Sequence, residues 1–151
     1  MKRLVQLISI VAVLGIVLWA LPAQVFATPS QEVVFDFVFY FTGPDSAAGG
    51  FTAAGAIEDA GSGYEVFRYT DEGTLQGIKV LEGADGTITL RFNLEIIPTG
   101  PTTAETDVHF VIQSGTGAYE SIHGVGTGAA DIDLVAGSLI GAFSGTVHID
   151  P

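Results

Sequence analysis

Asp36 and Tyr40 are the side chains of this sequence whose setting most suggests chemistry. They lie four residues apart in Gln31–Thr42, where Phe35, Phe37, Phe39 and Phe41 take one phase of a two-residue alternation and Val34, Asp36, Val38 and Tyr40 take the other. If the second phase lines an apolar pocket, lost hydration would raise the Asp36 pKa and let it act as an acid or base, with Tyr40 as a second ligand-binding group. If that phase is the outer one, both residues meet water or a neighbouring subunit. The alternation alone leaves both readings open.

The remaining candidates point away from a reactive centre. His109, His123 and His148 are of the commonest metal-ligand type, yet no two show the spacing of a zinc helix. His109 and His148 alternate with apolar neighbours and so face solvent, and His123 falls in a loop. Asp131 and Asp133 share a strand face, whereas a calcium site needs about six to eight oxygens from a loop that wraps the ion. The glycines of 115–128 lack the Lys-Ser/Thr of a phosphate loop, and no nucleophile elbow is present for a serine triad. No metal and no cofactor is expected.

These side chains must be held by short strands. Before the strands comes a leader: Met1-Lys2-Arg3 is basic, Leu4 to Leu21 is apolar apart from Gln6 and Ser9, and Val25-Phe26-Ala27 resembles a signal-peptidase site. Residues 1–27 read as a signal peptide, with an uncleaved anchor as the alternative, because the apolar run approaches the length of a membrane span. Residues 28–151 then form one exported domain, secreted or in the periplasm or cell envelope. The chain has no cysteine, which excludes disulfides, thiolate metal sites and a lipid anchor. After the leader only Arg68, Lys79 and Arg91 stand against 17 acidic residues, a field that repels nucleic acid and anionic membrane surfaces.

From Thr28 onward, β-branched and aromatic runs alternate with Gly, Asp, Ser and Pro clusters, and no 3.6-residue apolar period is sustained. The runs are 31–42, 50–59, 64–70, 74–82, 87–97, 105–114, 125–135 and 139–149. Gly61-Ser62-Gly63 reads as a turn between the second and third, and Ile78 and Val80 as the apolar side of the fourth. Ile88, Leu90, Phe92, Leu94 and Ile96 alternate cleanly with polar residues, so one face of the fifth strand meets a core and the other meets water. The first strand is apolar on both faces and should be covered on both.

Eight strands with hairpin-length connections predict an all-β, eight-stranded antiparallel up-and-down β-barrel, a size whose interior is just filled by side chains or holds one small ligand. An outer-membrane barrel would carry an apolar outer band with aromatic girdles. The last two strands carry Asp131, Asp133, Ser144, Thr146 and His148 instead, so no membrane contact is expected of the domain.

The most distinctive string runs from Gly115 to Gly128, Gly-Thr-Gly-Ala-Tyr-Glu-Ser-Ile-His-Gly-Val-Gly-Thr-Gly. It reads as a glycine-permitted kink and one helical turn, whose Tyr119 and Ile122 could plug a barrel end, followed by a return into a strand. The string resembles the Gly-Thr-Gly-x-Tyr-x-x-Ile-x-Gly segment of allene oxide cyclase-like and dirigent-like proteins. That resemblance implies a calycin-type barrel in which Gly115, Gly117 and Gly124 shape the backbone and Tyr119 and Ile122 pack. It also implies a homo-oligomer, since the proteins it resembles are trimers. The polar cavity residues of those families have no counterpart here, so the likeness bears on fold more than on chemistry.

The function expected is therefore that of an exported small barrel that binds a small apolar molecule or packs with copies of itself. The alternative is a cyclase or isomerase that folds an apolar substrate in the cavity. An apolar cavity with a single shielded carboxylate would favour the enzyme, and an interior filled by phenylalanine would favour the structural role.

Overall fold

In the computed structural model, which describes residues 29–71 and 73–150, eight strands close into one antiparallel barrel. They are β1 (Gln31–Gly43), β2 (Ser46–Gly55), β3 (Asp59–Asp71), β4 (Thr74–Gly83), β5 (Thr87–Pro98), β6 (Thr103–Gly115), β7 (Ile122–Asp133) and β8 (Ser138–Ile149). Each strand pairs with its neighbours in sequence, and β1 pairs with β8 from Gln31↔Val147 to Tyr40↔Ser138 to complete the ring. The expected signal segment and its cleavage site lie outside the described residues.

The interior follows the alternation of the sequence. Phe35, Phe37 and Phe39 of β1 and Ile88, Leu90 and Phe92 of β5 are buried, as are Val108, Phe110 and Ile112 of β6. The rings make a linked column: Phe35 meets Phe110 edge-on, Phe110 stacks on Phe143 at 5.3 Å between centroids, and Phe143 meets Phe37 edge-on at 4.9 Å. Facing strands make room for these rings with glycine. A Cβ at Gly63 would stand 2.8 Å from Phe39 Cζ, and one at Gly126 would stand 2.6 Å from Phe110 Cζ. Large and small residues thus interdigitate between nearby strands, which lets a narrow ring of strands hold several aromatic side chains.

That requirement explains where the strands depart from expectation. β2 begins at Ser46 rather than at 50, and Gly61-Ser62-Gly63 lies within β3 instead of forming a turn. These glycines are small because a neighbour passes close, not because the chain reverses. The reversal falls at 56–58, after Gly55 at φ +100°. The interior face of β4 is Leu75, Gly77, Lys79 and Leu81 rather than Ile78 and Val80, and Ile78 is exposed. Gly77 is needed inside, since a Cβ there would stand 2.8 Å from Phe92 Cε1. β7 starts at Ile122, so His123 sits in a strand opposite His148, with ring centroids 5.6 Å apart.

The outer phase of β1 is uncovered in the single chain: Val34, Val38 and Tyr40 are exposed, beside Ile140 of β8. Charged side chains, among them Arg68, Arg91, Glu95 and Asp107, also project outward. The exterior of the ring thus carries both apolar and charged side chains, while the interior is mainly apolar.

Gly63→Ala tests the packing logic. The new methyl would also stand 2.9 Å from the Val80 carbonyl oxygen, which backbone pairing holds in place. Overpacking of this kind typically costs about 1–3 kcal/mol. A lower urea midpoint is expected, and an unchanged midpoint would show that Phe39 does not rest on Gly63.

Candidate functional site

The two ends of the barrel differ, and the difference creates the site. At one end the loop between β6 and β7 folds inward, with a single 3-10 turn at Gly117–Tyr119. Gly117 takes φ +63°, a conformation natural to glycine, and a Cβ there would crowd Gly86 Cα at 3.1 Å. Tyr119 and Ile122 are buried beneath the loop, and side chains at Gly115 and Gly124 would meet Ile122 Cγ2 and Val147 Cγ1 at 2.8 Å. Of the five motif residues, Gly115 ends β6, Gly117 and Tyr119 form the turn, and Ile122 and Gly124 lie within β7 rather than ahead of it.

The Tyr119 hydroxyl donates to Asp59 Oδ2 at 2.9 Å. The same carboxylate accepts from the backbone N–H groups of Ala60 at 2.7 Å, Ala84 at 2.9 Å and Asp85 at 3.3 Å. Partial desolvation pushes the Asp59 carboxyl up, but these hydrogen bonds together pull it further the other way and hold it below its ordinary value of 3.8. Desolvation and the facing carboxylate push the Tyr119 phenol well up. Asp59 thus pins the β2–β3 and β4–β5 turns to the plug.

At the opposite end, residues of the β5–β6 and β7–β8 connections, among them Pro101 and Leu134, border a mouth. Leu134 N–H donates to the Thr102 carbonyl at 2.9 Å and Ile96 N–H to the Gly73 carbonyl at 2.7 Å, which tie the rim together. Inside lies a cavity of about 290 Å³ walled by Phe41, Phe67, Leu94, Ile96, Ile132 and Leu139. Tyr69 and Leu134 at its rim are 67% and 63% exposed, an unusually open setting for large apolar side chains. The one charged residue on the cavity wall among the described residues is Glu65.

Glu65 is an interior residue of β3, and its direct cross-strand partner is Lys79 of β4. Lys79 Nζ lies 3.1 Å from Glu65 Oε2, with side-chain exposures of 1% and 5%. The ammonium also sits 3.3 Å from the centroid of the Phe37 ring, 4.4 Å from that of Phe143 and 4.7 Å from that of Phe39. Three ring faces thus stand where water would otherwise solvate the cation. None of its N–H groups is aligned on an acceptor, so the contact with Glu65 is an ion pair without a good hydrogen bond. Burial lowers the Lys79 pKa from 10.5 to about 8, and the Glu65 charge works against that fall. By contrast, buried Thr106 is satisfied: it donates to the Ala130 carbonyl at 3.2 Å and accepts from the Ala130 N–H at 2.9 Å.

Asp36 and Tyr40, the candidates of the alternation, are not inside. Both lie on the outer face of β1, Tyr40 55% exposed, and Asp36 borders an outer groove with Thr52 and Asp131. The Phe35-to-Phe41 phase is the bulkier and more apolar of the two and takes the interior. Asp133 accepts from the N–H groups of Val135 and Ala136 at 2.8 and 3.0 Å and shapes the β7–β8 turn. No group of three or more metal-ligating side chains occurs among the described residues. The pair that was missed had a signal: Lys79 shares its phase with Leu75 and Leu81, and lysine is rare in this acidic chain. No family model, curated protein or solved structure matches the chain.

The closed end should respond to acid. Because the Asp59 pKa is depressed in the folded protein, its contribution is complete above pH 3.8 and is lost as pH falls through the folded value. Tyr119→Phe removes one hydrogen bond to this carboxylate and should lower stability by about 1.5 kcal/mol at neutral pH, the low end for a bond to a charged group. Asp59→Asn should flatten the acid limb of a pH–stability curve, and an unaltered limb would remove Asp59 from this role.

The buried pair makes a prediction of opposite slope. Since the Lys79 pKa is lowered on folding, its contribution to stability should rise with pH from about 8 toward about 10, offset near pH 10 by Tyr119, whose phenol begins to ionise there only in the unfolded chain. Lys79→Met should abolish that rise and, by stranding Glu65, cost about 3–5 kcal/mol at neutral pH. Glu65→Leu/Lys79→Met, which removes both charges, should restore or exceed the parent stability. Chemical denaturation of the three proteins at pH 7 and 10 checks this, and a double variant weaker than Lys79→Met would overturn it.

Proposed function

We propose that this protein binds one small, mainly apolar molecule in the cavity at the open end of its barrel. The observation that carries the reading is the asymmetry of the interior. One half is packed with phenylalanine and plugged by Tyr119, while the other is an apolar chamber with an exposed apolar rim and one carboxylate inside. A barrel with a purely structural role gains nothing from an unfilled end, because unfilled apolar space weakens packing. The volume suits a small ligand, at the lower limit of ordinary binding sites. The exported setting read from residues 1–27 and the acidic exterior fit a carrier or scavenger of a small molecule outside the cytoplasm.

Glu65 also supports a second reading, a cyclase or isomerase in which this carboxylate moves a proton on a substrate folded against the apolar walls. Binding is favoured because Lys79 already engages Glu65, and no second charged side chain lines the cavity among the described residues.

Methyl NMR on the protein tests the proposal. Short apolar molecules should shift the resonances of Leu94, Ile132 and Leu139, and Ala104→Trp, which fills the cavity, should abolish those shifts. If no such molecule perturbs these methyls at millimolar concentration, the cavity is not a binding site.

A further inference from the structure

We infer that the ligand of this cavity is a neutral apolar molecule ending in a hydroxyl group, docked hydroxyl first on the Glu65 carboxylate. The inference rests on the binding role proposed for the cavity and narrows it to a chemical class.

The floor of the cavity decides the class. Along β3 the interior residues run inward from the rim as Tyr69, Phe67 and Glu65, so the carboxylate lies about 13 Å of strand below the mouth. A carboxylate accepts hydrogen bonds and donates none, with room for about four. Lys79 meets Oε2, and among the described residues no other side chain or backbone N–H donates to either oxygen. The acceptor capacity left over belongs to a nine-tenths-buried group on an otherwise apolar wall. Lys79 itself is not on that wall; its charge is turned toward Glu65 and the rings of Phe37, Phe143 and Phe39.

Each alternative head group fails for a stated reason. An ammonium would place a second cation beside Lys79 on one carboxylate in an apolar interior, leaving a net buried charge. A carboxylate ligand would set two anions side by side, with Glu65 standing between it and Lys79. A plain hydrocarbon would seal the cavity over an acceptor it cannot satisfy. A hydroxyl donates to the free lone pairs of Glu65 and adds no charge, and its apolar body rests on Phe67, Ile96 and Leu139 below the rim. Lys79 acts here as a positioning residue that holds the Glu65 side chain fixed in orientation.

Hexan-1-ol, hexane, hexanoate and hexylammonium, which share one apolar body, form the test. Each is titrated into the protein while the Leu94, Ile132 and Leu139 methyls are followed. Hexan-1-ol should bind at least about tenfold more tightly than each of the others, the ratio expected for one hydrogen bond to a buried charged acceptor. In Glu65→Leu/Lys79→Met, whose fold the same spectra report, hexane should bind at least as tightly as hexan-1-ol. If hexane or either ion matches hexan-1-ol on the parent protein, the hydroxyl assignment falls while the cavity remains a binding site. If none of the four binds, the binding role falls with it. Should the double variant not fold, the ratios on the parent protein decide the matter alone.

Discussion

A closed ring of eight strands encloses a narrow interior, and the fit of phenylalanine rings against glycine governs everything built inside it. Phe39 rests over Gly63, Phe92 over Gly77 and Phe110 over Gly126, so each ring fills space that a β-carbon on a nearby strand would occupy. This complementarity sets which phase of each strand turns inward. It also accounts for Gly63, Gly77 and Gly126, which would weaken an ordinary strand through lost packing and greater unfolded-state freedom. Here those costs are offset by aromatic burial that no larger residue at the same positions would permit.

The aromatic column also creates the electrostatic setting of the barrel. Phe37, Phe39 and Phe143 surround a lysine that has lost its water, and Glu65 supplies the one opposite charge in contact with it. A buried pair of this kind seldom adds net stability, because desolvation of both ions rivals their attraction. Its presence is better explained by where it puts the carboxylate: at the junction between the packed half of the interior and the open half, oriented by an ammonium that cannot itself reach the cavity.

The two ends divide their tasks by the same economy of contacts. Asp59 gathers three backbone N–H groups and the Tyr119 hydroxyl, so the plug needs no metal or disulfide to hold three turns together. Among the described residues, the open end has no counterpart to the hydrogen bond from Tyr119 to Asp59. Its connections are tied to one another around the rim, which keeps the mouth shaped while leaving large apolar side chains at the surface.

The sequence by itself determined the all-β class and eight strands in hairpin order. Alternation, turn residues and the glycine-rich string are local properties that act within a few residues of where they are written. It also determined that Phe35, Phe37, Phe39 and Phe41 share a face, since side chains two apart in a strand must. Which face is inside is another matter when both phases carry apolar residues. For β1 and β4 that was decided only when the ring closed: Asp36 and Tyr40 went outside, and Lys79 went in, opposite Glu65. The site has the same origin. The phase that Lys79 shares with Leu75 and Leu81 hints at its burial, but only the cross-strand register and the closure of the barrel bring it to Glu65 beside three aromatic rings.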